Sequence, residues 1–281
     1  MKWKGLPGST NVEDRRGVGV GGKMAIGGGA TIIIMLVAVL LGADPAVVLD
    51  TISSTGPAVD TPYVETAEEK ELADFVSVVL ADTETVWTGV FTQLGEEYSE
   101  PTLVLYSDAV ESACGVAGSS TGPFYCPADN KLYIDLSFFG ELRDRFQAPG
   151  DFAMAYVLAH EVGHHVQNEL GVMAQMQELR QQLSPEEYNE YSVRLELQAD
   201  YLAGVWANHA QGRGLLEEGD LEEALTAASA VGDDRIQRES QGYVVPDSFT
   251  HGTSEQRMRW FRKGFEAGDL SEWDTFGATV L

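Results

Sequence analysis

The chain has 281 residues, with 18 Lys and Arg against 44 Asp and Glu, so its formal net charge is −26. An acidic excess of this size repels phosphate backbones and argues against a nucleic-acid-binding protein. A hydrophobic content of 44% excludes a chain that is disordered throughout, and two cysteines are too few for a disulfide-rich scaffold or a zinc finger with four thiolates. The composition therefore indicates a folded acidic protein whose chemistry must lie in its motifs.

The first feature along the chain is an apolar segment without charged residues, at positions 24–43. A helix of about 20 residues spans roughly 30 Å, the thickness of the hydrocarbon layer. Basic residues outnumber acidic ones in residues 1–23, whereas the first basic residue after the segment is Lys70. This asymmetry predicts one transmembrane helix, with the tail 1–23 in the cytoplasm and the rest of the chain outside the cell membrane. A cleaved signal peptide is the alternative, but the apolar segment is longer than is usual for one.

The chain after the apolar segment divides into a linker and a domain. Residues 44–64 mix proline, serine, threonine and small apolar residues without a sustained period, which is typical of a linker. The remainder, 65–281, has the patterning of one compact domain. Hydrophobic spacing predicts mostly helix after Gly150, and before it a helix over 67–94 and strands over 102–106 and 131–136. We therefore expect an α+β fold that is mostly helical and has a small β-sheet.

The two cysteines, Cys114 and Cys126, flank a loop rich in glycine, serine and proline. Because the domain is expected on the oxidising side of the membrane, we predict a structural disulfide between them. Two free buried thiols or half of a zinc site are the alternatives. The spacing differs from the Cys-x-x-Cys arrangement of redox and metal pairs.

A metal-binding motif lies in the helix predicted from Asp151 to Leu170, DFAMAYVLAHEVGHHVQNEL. His160 and His164 are one helical turn apart, so both imidazoles project from one face and can share a metal ion. Glu161 is turned by about 100° from His160, which places its carboxylate beside the metal, where it can accept a proton from water. The alternative is a pair of helix histidines with ordinary core or surface roles.

A third ligand is predicted on the next long helix, which begins after the N-cap Ser184. Glu196 and Asp200 lie one turn apart on one face of that helix. With Glu196 as third ligand, a zinc ion keeps one open position, and Asp200 can accept the outer N–H of a ligating histidine. A solvated helix edge is the alternative. The apolar neighbours of both carboxylates argue against it, because a buried carboxylate pair requires a cation.

Several stretches of the chain resemble the neutral zinc metallopeptidase family: HEVGHHV at 160–166, ELQADYLAGVW at 196–206, CPADNKLYIDLSFF at 126–139, NVEDRRG at 11–17 and PDSFTHGTSEQR at 246–257. The resemblance runs from near the N-terminus to the last helix. It implies a zincin-type fold in which Zn²⁺ is held by His160, His164 and Glu196, with catalysis by Glu161. It implies little about the substrate.

Residues 250–257 are also similar to a segment of membrane-bound metalloproteases of the CAAX-processing type, with Gly252 in place of proline. That similarity implies that His251 and Arg257 lie near the active site, where they stabilise the oxyanion or orient other groups. The alternative is that this segment only caps the last helix and that His251 lies on the loop before it.

Together these features predict a membrane-anchored zinc metallopeptidase, and more narrowly a metalloendopeptidase, that hydrolyses peptides or proteins of the cell envelope with Glu161 as general base. We expect the strand at 131–136 to hold the substrate backbone by strand addition. Two alternatives use the same ligands: a non-catalytic membrane-anchored module that binds an envelope partner and has a structural zinc site, and hydrolysis of a non-peptide amide. A fourth protein ligand, for which His251 is the candidate, would favour the structural site.

Overall fold

The computed structural model describes residues 1–18, 63–118 and 121–281. The predicted transmembrane helix at 24–43 and nearly all of the predicted linker at 44–64 lie outside these residues. Within the described ranges, no helix is both long enough and apolar enough to cross a lipid bilayer.

A four-stranded sheet forms one layer of the domain. Its strands stand in the order β1, β2, β6, β5, and their bounds are Val12–Asp14 for β1, Thr102–Tyr106 for β2, Lys131–Asp135 for β6 and Phe124–Cys126 for β5. β2 is parallel to β1 and β6, whereas β5 is antiparallel to β6. A separate antiparallel hairpin joins β3, Ala109–Ser112, to β4, Gly115–Gly118.

The two faces of the sheet are covered by different elements because side chains alternate along each strand. Leu103 and Ile134 enter the core formed with the helices. Val104 and Tyr133 point the other way and pack with Val110 of the hairpin. The strand predicted at 131–136 is confirmed as β6, although it ends at Asp135.

The described residues contain eight α-helices: α1 Ala67–Leu94, α2 Phe138–Asp144, α3 Asp151–Glu169, α4 Val172–Gln182, α5 Pro185–Gly212, α6 Asp220–Ala230, α7 Asp233–Gln241 and α8 Ser254–Ala267. Three of them begin with a capping box, in which Thr66, Ser184 or Thr253 accepts a hydrogen bond from the backbone N–H three residues on. The predicted α+β fold, mostly helical with a small sheet, is confirmed.

Two glycines let the helices α3 and α8 pack closely against α5. Gly163 of α3 lies against α5, where an added Cβ would stand 3.0 Å from the carbonyl oxygen of Ala199. Gly264 of α8 lies still closer to α5, since a Cβ there would stand 1.9 Å from the carbonyl oxygen of Tyr201. α5 is therefore held between α3 and α8, so residues of all three helices meet in one region.

Residues 1–18 pack on the sheet of the domain, so part of the segment predicted as a separate tail contributes to the fold. β1 is an edge strand of the sheet, with Val12 opposite Leu103 of β2. The Lys131 ammonium lies 2.6 Å from the Glu13 carboxylate, and the Arg16 guanidinium lies 2.7 Å from that of Glu65. A tail in the cytoplasm cannot pair with a sheet outside the membrane. In this structure residues 1–18 and the domain therefore lie on the same side of any membrane.

Candidate metal centre

The three predicted metal ligands lie together at the junction of α3 and α5. Ligand atoms of His160, His164 and Glu196 are all within 4.8 Å of one another. Nε2 of His160 lies 3.1 Å from one carboxylate oxygen of Glu196, and Nε2 of His164 lies 3.4 Å from the other. Two imidazoles from one helix and a carboxylate from another thus converge on a site that could hold one metal ion.

Each of the two histidines has a hydrogen-bond partner on its outer nitrogen. Nδ1 of His160 lies 2.9 Å from Asp200, and Nδ1 of His164 lies 2.8 Å from the amide oxygen of Gln167. Each partner can accept a hydrogen bond from Nδ1–H, so Nε2 is the nitrogen of each imidazole that faces Glu196 and is available to a metal ion. The outer partner of His160 is the residue predicted from the sequence.

Gln167 is a residue that sequence reasoning missed. Its amide nitrogen donates to the backbone oxygen of Leu195, 2.7 Å away, so the side chain is fixed between α3 and α5. The available signal was its position three residues after His164, on the same face of α3.

Asp200 lies in a buried hydrogen-bond network. Its side chain is fully buried, and it accepts two hydrogen bonds from Arg257, at 2.8 and 3.0 Å, and one from the Tyr156 hydroxyl at 2.5 Å. Burial raises the pKa of Asp200, but the charges of Arg257 and His160 outweigh this and lower it. Arg257 thus lies beside the predicted site: besides its bonds to Asp200, its guanidinium lies 3.3 Å from Nδ1 of His160. Tyr156, one turn before His160, is a second residue that the sequence analysis overlooked.

Glu161 lines the same cleft as the three ligand residues and is not one of the residues grouped as ligands. Its side chain is buried, and burial raises the pKa of its carboxyl. A carboxyl group with a raised pKa accepts a proton more readily than one in water, which suits a general base that later acts as an acid.

The charges of the site fit a bound cation. Burial lowers the pKa of His160, but Asp200 and Glu196 outweigh this and raise it to about 9. The buried carboxylate of Asp200 and the partly buried one of Glu196 therefore favour positive charge at the point where the imidazole nitrogens meet. Two imidazole nitrogens and one carboxylate oxygen are a ligand set of catalytic zinc sites, in which a fourth position stays open. The residues present fit Zn²⁺.

His251 lies on the loop before α8 and lines the cleft. Its Nδ1 is 3.2 Å from Asp233, the first residue of α7, and the other oxygen of Asp233 accepts the backbone N–H groups of Thr250, His251 and Gly252. His251 is not among the described side chains grouped as metal ligands. Thr253 caps α8, so this segment both begins the last helix and places His251 in the cleft. Asp233, which fixes this loop, was not identified from the sequence.

The cleft that contains these residues has a volume of about 460 Å³. Besides the ionisable groups described above, it is lined by apolar and small residues of β5, the loop before β5, α2, α3, the C-cap of α6, and α7: Thr121, Gly122, Pro123, Phe124, Tyr125, Phe138, Tyr156, Val157, Val231 and Ile236. The lining of the cleft therefore combines the ionisable groups of the site with mostly apolar side chains.

The strand expected to bind substrate, 131–136, is internal to the sheet, so strand addition there is not available. β6 is hydrogen-bonded to β2 on one side and to β5 on the other. Among the described residues, β5 pairs only with β6, and its residues Phe124 and Tyr125 line the cleft. The sheet edge at the site is therefore β5.

The predicted disulfide is confirmed. Cys114 and Cys126 are bonded, with an S–S distance of 1.99 Å and a Cα–Cα distance of 5.8 Å. Cys126 is the last residue of β5, and Cys114 lies in the turn between β3 and β4. The bridge thus ties the hairpin to the strand at the edge of the cleft.

Comparison with known proteins identifies the family. A family model described as "Putative neutral zinc metallopeptidase" matches residues 1–276. The chain belongs to this family. It is 47% identical to the uncharacterized protein YpfJ of Escherichia coli K12 over 289 aligned residues, which cover 100% of both chains. It is 40% identical to the uncharacterized protein Rv2575 of Mycobacterium tuberculosis H37Rv, over 87% of this chain and 86% of the other. No solved structure matches the chain.

Proposed function

We propose that this protein is a zinc-dependent metallopeptidase that cleaves internal peptide bonds, with the metal held by His160, His164 and Glu196. The observation that carries the proposal is the convergence of these ligand atoms within 4.8 Å, in a cleft that Glu161 also lines. The family of the chain supports a zinc peptidase. The carboxylates of Glu196 and of the buried Asp200 support a cation at this point.

Glu161 is the proton carrier of the proposed reaction. When bound, Zn²⁺ supplies Lewis-acid activation of the scissile carbonyl and of the attacking water. The Glu161 carboxylate accepts a proton from that water and then donates it to the nitrogen of the leaving amine. The raised pKa of the carboxyl favours the protonated form between these two steps.

His251 is proposed to stabilise the negative charge that develops on the carbonyl oxygen. Its Nδ1 faces Asp233, which leaves Nε2 as the nitrogen able to donate a hydrogen bond in the cleft. A donor fixed at such a position contributes about 10²–10³-fold to kcat in acyl transfer. Its place outside the ligand group supports this role over that of a fourth metal ligand.

The substrate backbone is proposed to lie along β5. An extended peptide that adds to a sheet edge gains main-chain hydrogen bonds, and β5 is the edge strand that lines the cleft. This position replaces the internal strand β6 expected from the sequence.

We also propose that residues 24–43 attach the protein to the cell membrane and that its substrates are proteins of the cell envelope. The disulfide between Cys114 and Cys126 supports an oxidising compartment outside the cytoplasm. Because residues 1–18 pack on the domain, the N-terminal segment would lie in that compartment as well. The net charge of −26 argues against nucleic acid as a partner.

The decisive experiment compares Glu161→Gln with the wild type, using the full chain loaded with zinc. Zinc content and thermal unfolding should stay unchanged, while cleavage of a denatured protein should fall by several orders of magnitude, since an amide cannot accept the water proton. Glu169→Gln, the same chemical change at the end of α3, is the control and should remain active. A zinc-loaded wild type that cleaves no unfolded protein would favour the non-catalytic module with structural zinc.

A further inference from the structure

Three large apolar side chains are only partly buried in the walls of the cleft. Phe124 belongs to β5, Phe138 to α2 and Ile236 to α7. Ile236 is the only apolar residue of α7, whose sequence is DDRIQRESQ. It is not among the residues of the hydrophobic core in the described part of the chain, and it lines the cleft instead. A lone apolar residue on a polar helix, directed into a cleft, requires an explanation other than core packing.

The apolar wall lies next to the groups proposed to carry out the reaction. Val157 is four residues before Glu161 on α3, so the two side chains lie one turn apart on one face. Ile236 is three residues after Asp233, whose carboxylate fixes the loop that carries His251. A side chain bound against this wall would therefore belong to a residue close to the reacting bond.

The charged groups of the cleft already have partners within the protein. Arg257 is 3% exposed and bonded to Asp200, and His251 is paired with Asp233. The histidines of the metal site face Glu196. Apart from Glu161, the described lining thus offers no unpaired charge that would select a charged side chain, a free amino group or a terminal carboxylate.

We propose that the wall formed by Phe124, Phe138, Val157 and Ile236 binds one large apolar side chain, aromatic or branched aliphatic, of an extended polypeptide next to the bond that is cleaved. The proposal rests on the peptidase function proposed above and specifies its substrate. Large apolar residues are mostly buried in folded proteins. The substrates are therefore unfolded or flexible polypeptide segments rather than folded surfaces or chain ends.

The first test measures binding without cleavage. Peptides that differ only in one central residue, Phe, Ala or Lys, are titrated onto zinc-loaded Glu161→Gln, and the Kd is measured by fluorescence anisotropy. Burial of a large apolar side chain should make the Phe peptide bind about 10- to 100-fold more tightly than the Ala peptide, with the Lys peptide weakest. Equal affinities for the three peptides would overturn the apolar site, whatever the catalytic result.

The second test measures selectivity in the active enzyme. Ile236→Asp should lower kcat/KM for the Phe peptide about 10- to 100-fold and reduce its advantage over the Lys peptide, with zinc content unchanged. Ile236→Leu should retain the preference. Ser240→Asp adds the same charge at an exposed position of α7 outside the cleft lining and serves as the control.

The two tests separate the two proposals. If the wild type cleaves none of the peptides, the peptidase proposal fails, while the binding experiment still decides whether the apolar site exists. If the wild type cleaves all three peptides equally well, or if Ile236→Asp leaves the ratio of kcat/KM values unchanged, the peptidase proposal stands and the apolar site is wrong.

Discussion

Arg257 donates two hydrogen bonds to Asp200, and the same carboxylate accepts the outer N–H of His160. The ion pair is almost completely buried, with exposures of 3% for Arg257 and 0% for Asp200. A buried charge without a partner is strongly unfavourable. α8 therefore supplies the cation that allows a carboxylate to stand behind a metal-binding histidine.

This relationship makes Asp200→Asn a test of the site. An amide leaves the Arg257 charge buried without its partner and weakens the hold on His160. We expect zinc affinity to fall by about 10–100-fold and the free energy of unfolding by about 3–5 kcal/mol. Competition with a zinc chelator and urea unfolding measure the two effects. Asp247→Asn, at an exposed position, should change neither, and unchanged zinc affinity in Asp200→Asn would show that this carboxylate does not orient His160.

Gln167 should matter for zinc binding although it is not a ligand. Gln167→Met has a similar length but no acceptor for Nδ1–H of His164, so the imidazole loses its fixed orientation. We expect a loss of about 10–100-fold in zinc affinity, measured with the same chelator. Gln182→Met, at the end of α4, is the control and should bind zinc as the wild type does. Equal affinity in both variants would mean that other contacts orient His164.

The sequence was sufficient for the parts of the site that depend on local geometry. The pairs His160 with His164 and Glu196 with Asp200 follow from helical periodicity alone. Gln167 and Tyr156 were overlooked because glutamine and tyrosine in a helix serve many purposes, and only the packing of α5 on α3 gives them partners. The position of β6 between β2 and β5 depends on pairing with distant segments, which the alternation of a single strand does not specify.

The packing of residues 1–18 on the domain was not predicted for a similar reason. The charges around residues 24–43 are a local signal, whereas the pairing of β1 with β2 joins residues about ninety positions apart in the chain. Nothing in the pattern of residues 12–14 identifies their partner strand. The sequence feature that connected this segment with the domain was the family resemblance, because residues 11–17 resemble the same family as the stretches of the domain do.

Topology can be tested with single cysteines, because the described cysteines form a disulfide and none is free. Thr10→Cys and Ser240→Cys place thiols at exposed positions of the N-terminal segment and the domain. With a membrane-impermeant thiol reagent on intact cells, both variants should label to the same extent. Labelling of Ser240→Cys alone before permeabilisation would mean that residues 1–18 do not pack on the domain in the cell.

The pair of His251 and Asp233 should make stability depend on pH. Burial and the Arg257 charge lower the pKa of His251. The hydrogen bond to Asp233 and the Glu196 charge outweigh them, so the pKa lies above the ordinary value of 6.5. Burial raises the pKa of Asp233, but His251 and the backbone N–H groups lower it below 3.8. A histidine whose pKa is raised by folding stabilises the folded state fully below pH 6.5. This stabilisation is lost as the pH rises through the pKa of His251 in the folded state.

The measurement is the difference in urea midpoint between the wild type and His251→Gln from pH 5 to pH 9, with zinc present throughout. We expect the difference to be largest near pH 5 and to decrease above pH 6.5, because only the protonated imidazole is favoured by Asp233. Both proteins keep all three metal ligands, so the pH dependence of zinc binding largely cancels. A difference that is constant with pH would mean that the pair is not charged in the folded state.

The contact between α8 and α5 depends on Gly264, which gives the last prediction. A Cβ at this position would stand 1.9 Å from the Tyr201 carbonyl oxygen, so Gly264→Ala must move α8 away from α5. Overpacking of this kind costs about 1–3 kcal/mol or more, and the shift should also lengthen the contact of Arg257 with Asp200 and weaken zinc binding. Gly89→Ala is the matched control, since Gly89 is exposed on α1 with nothing within 4 Å of an added Cβ. It should leave zinc affinity unchanged and stabilise the protein by up to about 1 kcal/mol. If both variants unfold at the same urea concentration, α8 does not pack on α5 as closely as the structure has it.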